Sequence, residues 1–146
     1  MTRTAVLLVS SALLFAGSAN ADNDADAMVQ FGLVGSWAPD CHAVPSPTNP
    51  FVNFTFSDTG QPMRLVIAGK PQYQSMVPLS DLVAIDETHL QLSYPQAGVT
   101  VTVILMKEPN RIRPYRAGVS DGTVSVENGV VKSSGQETNW LLRCAD

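Results

Sequence analysis

The chain has 146 residues, of which 45% are apolar and 15% charged, enough for one compact domain and too apolar for intrinsic disorder. Its formal charge is −4. Such an acidic balance excludes a nucleic-acid partner, whose binding needs clustered Lys and Arg.

Met1–Ala21 has one charge, Arg3, then an apolar run from Ala5 to Ala16, and ends in Ala19-Asn20-Ala21. This pattern predicts a signal peptide cleaved after Ala21. The run is shorter than the roughly 20 residues that a membrane span needs. Removing Arg3 leaves eight basic residues against thirteen acidic ones, a net charge of −5. The expected mature protein is periplasmic or secreted, monomeric, and without a membrane span. Residues 22–33 begin Asp-Asn-Asp-Ala-Asp-Ala, show no apolar period, and read as an acidic, flexible segment. The Gly and distal Glu of an EF-hand calcium loop are missing there.

From Val34 to Asp146 the pattern is strand after strand. Gly35-Ser36-Trp37 opens the first, and Cys41 follows. A proline-rich connection, Pro45 to Pro50, cannot continue a ladder. Phe51–Phe56 alternates, with Val52, Phe54 and Phe56 on one face. In Met63–Ile67 the apolar set is Met63, Leu65 and Ile67. Tyr73–Val77 is the next strand, and Leu82–Ile85 with His89–Tyr94 reads as a hairpin. Val99–Met106 is the clearest strand, its inward set being Val99, Val101, Val103 and Leu105. Pro114 marks Arg111–Arg116 as an edge, a bulge or a strand end. Asn128-Gly129 predicts a tight hairpin between Thr123–Val126 and Val130–Lys132. Asn139–Cys144 closes the chain. About eight to ten short strands, with turns at regular spacing, predict an all-β antiparallel barrel or sandwich. Cys41 and Cys144 are the only cysteines, so in an oxidising compartment they are expected to bond to each other.

Gly35-Ser36-Trp37 near the start and Arg143 near the end resemble the signature of lipocalin and calycin barrels. That resemblance implies a structural Trp37 across the barrel base with Arg143 over its ring. The wider pattern of Gly35-x-Trp37-Ala38-x-Asp40-Cys41, Asn49-Pro50, and Gly135-x-Glu137-Thr138-x-Trp140-x-x-Arg143-Cys144 resembles a group of small exported proteobacterial proteins. It makes Gly35, Trp37, Trp140 and Arg143 structural residues and carries over no catalytic one.

Candidate chemistry is sparse. His42 and His89 are the only histidines, too few for a zinc site once Cys41 is paired. No nucleophile elbow, P-loop or dinucleotide fingerprint occurs. No enzyme activity, metal or cofactor is expected. Arg111–Arg116 is the one basic cluster, either a solvated edge or a small anion site.

The aromatic residues either fill the barrel or line a cavity. The expected ligand site comprises Phe54, Phe56, Tyr73, Tyr94, Arg113 and Tyr115, at the open end opposite Trp37, for a small apolar ligand with one anionic or hydroxyl group. The alternative is a protein-interaction module of the protease-inhibitor kind, since small bacterial inhibitors of secreted proteases share the Gly-x-Trp barrel. Its inserting arm would be Asp22–Gln30, and its partner an extracytoplasmic protein.

Overall fold

The β-branched alternation after Val99 becomes the longest strand of the molecule, Val99–Glu108, in a computed structural model that describes residues 19–145. The expected leader, Met1–Ala21, lies outside the described residues except for its last three. In chain order the elements are α1 (Ala19–Phe31), β1 (Gly35–Ala38), β2 (Phe51–Phe56), β3 (Pro62–Ile67), a 3-10 turn (Pro71–Tyr73), β4 (Gln74–Pro78), β5 (Ser80–Ala84), β6 (His89–Gln96), β7 (Val99–Glu108), β8 (Arg111–Val119), β9 (Val124–Glu127), β10 (Val130–Val131) and β11 (Leu141–Arg143).

Nine of these strands form a nearly closed antiparallel barrel in the order β4-β3-β2-β1-β11-β8-β7-β6-β5. The β9–β10 hairpin branches from β8, with Asn128 (φ 52°) and Gly129 (φ 74°) at its turn, as the dipeptide predicts. The two terminal strands of that order, β4 and β5, are consecutive in the chain. They meet at a corner where Leu79 is fully buried and donates its N–H to Pro62 O (2.8 Å). Asp81, at φ 53°, completes the bend. Beyond that corner the closure is incomplete. β4 pairs only with β3, and β6 past Ser93 pairs only with β7.

Phe54, Leu90, Leu92, Val103, Leu105 and Ile112 fill the interior, with Val52 and Trp37. Val101 packs against this core, while Val99, at the strand end, is exposed. β3 departs from the expected parity. Phe54, which faces the core, stands opposite Arg64 in the register. Arg64 and Val66 therefore face inward, and Met63, Leu65 and Ile67 face outward. Both faces of β3 carry apolar residues, so its alternation alone does not fix its side.

The segment expected to be flexible is helical. Met28 and Phe31, three residues apart, present an apolar edge to the barrel and are buried there with Leu33. Gly32 (φ 75°) donates to Val29 O (2.9 Å), and Leu33 N to Met28 O (3.0 Å). These two hydrogen bonds make a Schellman stop, and the residues at its ends, Met28 and Leu33, are both buried in the core. α1 lies against β5, where Leu82 N donates to Asp24 Oδ1 (2.9 Å). The helix thus closes the barrel at its Trp37 end. No helix among the described residues is long and apolar enough to cross a membrane.

Candidate functional site

Cys41 and Cys144 form a disulfide with a Cα–Cα distance of 5.3 Å, tying the loop after β1 to the end of β11. Trp37 is buried, and its Nε1 donates to Leu33 O (2.8 Å). Arg143 Cζ lies 5.1 Å from the centre of the Trp37 ring. Its Nη1 and Nη2 donate to Gly32 O (2.9 Å) and Val34 O (2.8 Å). Gly35 sits beneath this arginine at φ 130°, where a Cβ would stand 3.3 Å from Nη2. The positive φ calls for glycine, and an added Cβ would also press on the guanidinium above it. Trp140 is held differently, against Arg111 and Arg113, whose Cζ atoms lie 4.2 and 4.6 Å from its ring centre.

The expected ligand residues do not converge. Phe54 is in the core and Phe56 packs partly against it. Tyr73 is 53% exposed on the 3-10 turn. Arg113 faces away from the interior because β8 turns Ile112 and Pro114 inward. It is engaged outside by Glu137 (3.1 Å) as well as by Trp140. Tyr115 follows at a bulge opposite Ile104 and Leu105. Its ring stands edge-on to His89 (4.9 Å), and its hydroxyl donates to Asn128 Oδ1 (3.0 Å). Of the six, Phe54 and Tyr94 line an interior space.

That space is a chamber of about 90 Å³ between Val52, Phe54, Leu92, Val103, Leu105, Ile112, Pro114 and Leu141, with Arg64 and Tyr94 at one side. The same two residues line a second, open cleft of about 450 Å³, together with Val66, Ser75, Val77 and Pro95–Ala97. The cleft lies in the gap between β4 and β6, so Arg64 and Tyr94 stand between chamber and solvent. The Arg64 Cζ is 4.7 Å from the Tyr94 ring centre. Among the described residues, neither the guanidinium nor the Tyr94 hydroxyl has a hydrogen-bond partner, and no carboxylate pairs with Arg64. Burial pulls the arginine's pKa below its ordinary value, with Tyr94 opposing the shift. An arginine stays charged even so. The arrangement offers a cation with free donors at the mouth of an apolar chamber. The sequence signal for it was a lone arginine in an otherwise apolar strand, Pro-Met-Arg-Leu-Val-Ile.

A wide cleft of about 940 Å³ is at the Trp37 end rather than opposite it, with Phe31, Trp37 and Ile112 beneath a rim that includes Asp86, Glu87, Lys107 and Arg143. Its cations are already committed. Lys107 Nζ donates to Phe31 O (2.9 Å) and lies over the Phe31 ring (4.3 Å), and Arg143 serves Gly32 and Val34. Both neutralise the carbonyl end of α1, which is a structural task.

Asp86 accepts from Thr88 N (2.7 Å) and Thr88 Oγ1 (2.9 Å) and contacts His89 Nδ1 (3.1 Å). These bonds, the Thr88 amide first, hold its pKa down to about 2. No group of three or more His, Cys, Asp or Glu side chains is gathered for a metal among the described residues. The arm required by the inhibitor alternative is part of α1, with Met28 fully buried, so insertion into a cleft would require undocking the helix. No family model, curated protein or solved structure matches the chain.

Proposed function

We propose that the chain is an exported, calycin-like barrel that binds a small, partly apolar anion, with Arg64 holding the anionic group and the chamber behind it taking the apolar part. The observation that carries this reading is Arg64 itself, half-buried beside Tyr94 with no acidic partner. Partial withdrawal of a guanidinium from water without a counter-charge carries a cost, and the Arg64 nitrogens still reach solvent, where a ligand can meet them. A contact with one aromatic face returns only about 0.5–2 kcal/mol. A carboxylate would satisfy the free donors in a forked pair, and the Tyr94 hydroxyl would add a third bond.

The chamber sets the size of the apolar part. Apolar cavities of about 150 Å³ hold a benzene ring, so one of about 90 Å³ takes a short aliphatic group. The rest of the ligand would lie in the β4–β6 cleft. The disulfide, together with the signal-like leader, supports an extracytoplasmic address. Arg143 over Trp37, with Gly35 beneath, supports the calycin-like character.

Native mass spectrometry of the protein purified from its own extracytoplasmic compartment tests the reading. It should reveal an added acidic small molecule that is lost on Arg64→Gln. Bare protein mass, with no uptake of added short-chain carboxylates, would overturn it.

A further inference from the structure

The lateral gap has two edges, and they are chemically unlike. Leu79 N donates to Pro62 O across the β3–β4 pair. Antiparallel bonding alternates, so Ser75 and Val77 turn their backbone groups toward β3, while Met76 turns its N–H and C=O, and Gln74 its C=O, into the gap. The Gln74 N–H donates to Pro71 O at the end of the 3-10 turn. On β6 the bond from Lys107 N to Thr88 O (2.8 Å) sets the same alternation. There the residue facing the gap is Pro95, which offers a carbonyl and no N–H. Pro78, next in line on β4, also lacks a donor. Two prolines therefore keep β4 and β6 from pairing, and the Met76 N–H and C=O and the Gln74 C=O are left without a partner among the described residues.

We propose that this open edge of β4 is a docking strand for a short extended peptide whose C-terminal carboxylate is held by Arg64. The inference rests on the reading of Arg64 as an anion receptor and names the class of anion. Two features select a peptide. The free edge supplies one donor, the Met76 N–H, and two carbonyl acceptors at strand spacing, about 7 Å from Gln74 to Met76, which a fatty or aromatic acid cannot use. Main-chain pairing of this kind is a general mode of peptide capture. Charge complementarity places the terminus, since Arg64 stands opposite Val77, toward the corner end of the cleft. The peptide accordingly runs parallel to β4 with its carboxylate leading. Its side chains on the inner side meet Val66, Ser75 and Val77.

Fluorescence anisotropy of the wild-type protein tests this with an N-terminally labelled alternating alanine–valine pentapeptide in three forms: free acid, C-terminal amide, and fully N-methylated backbone. The free acid should bind, and unlabelled hexanoate should displace it. Amidation and N-methylation should each weaken binding about tenfold or more, through the lost charge-assisted and main-chain bonds respectively. Equal binding of the N-methylated and parent peptides would overturn strand docking. So would binding of hexanoate without binding of any peptide, while both results leave Arg64 as an anion receptor. Failure of hexanoate and peptide alike would overturn both readings.

Discussion

Arg143 covers the buried face of Trp37 at 5.1 Å and is anchored by two carbonyls of the α1–β1 junction, Gly32 O and Val34 O. One side chain thus joins the last strand, the first strand and the helix that closes the barrel. Trp37→Ala should destabilise the fold by about 3–5 kcal/mol, the usual range for a large buried aromatic. Arg143→Ala should cost less, about 1–3 kcal/mol, for two charge-assisted bonds and a cation–π contact. Chemical denaturation of the two variants checks the order. Equal stability of Trp37→Ala and wild type would contradict a structural tryptophan.

Reduction should weaken the fold strongly. The Cys41–Cys144 bond spans 103 residues, and closing a loop of that length is worth about 4–5 kcal/mol in the chain-entropy model. Against a typical domain stability of about 5–15 kcal/mol, a reductant should lower the melting temperature by many degrees. An unchanged melting curve after verified reduction would refute the estimate.

Two aspartates should leave opposite marks on the acid limb of the stability profile. The fold lowers Asp86 from 3.8 to about 2, chiefly through the Thr88 amide. Its contribution is present above the unfolded value and is lost as pH falls through about 2. The fold raises Asp24, mainly by burial, with Asp81 adding to the shift and the Leu82 amide opposing it. Its contribution is present below the unfolded value and is lost as pH rises through the folded one. Carboxyl chemical shifts followed by NMR should place the Asp86 midpoint near 2 and that of Asp24 above 3.8. An Asp86 midpoint at the ordinary value would show that the β5–β6 turn bonds are not made in solution.

The strands, the turn at Asn128-Gly129 and the disulfide were legible because each follows from local chemistry: alternation, positive φ and a lone cysteine pair. α1 was not, because Asp22–Ala27 has no apolar period. Its burial rests on Met28, Phe31 and Leu33, whose partners lie in the barrel. The local clue was there in the apolar-Gly-apolar stop Phe31-Gly32-Leu33. For the site, Arg113 stood out in sequence as part of a basic cluster, yet the alternation of β8 turns it outward onto Trp140. Arg64 was obscured because an arginine between apolar neighbours reads as the solvent side of a strand. Only its register opposite Phe54 reverses that.

Calorimetric titration of hexanoate into the wild-type protein and into Arg64→Met, paired with their melting curves, bears most directly on the anion site. Methionine retains the apolar stem and removes the unpaired charge. The variant should melt no lower than the wild type and bind hexanoate about tenfold or more weakly. A variant that melts lower and binds hexanoate as well as the wild type would make Arg64 a structural residue and contradict the account.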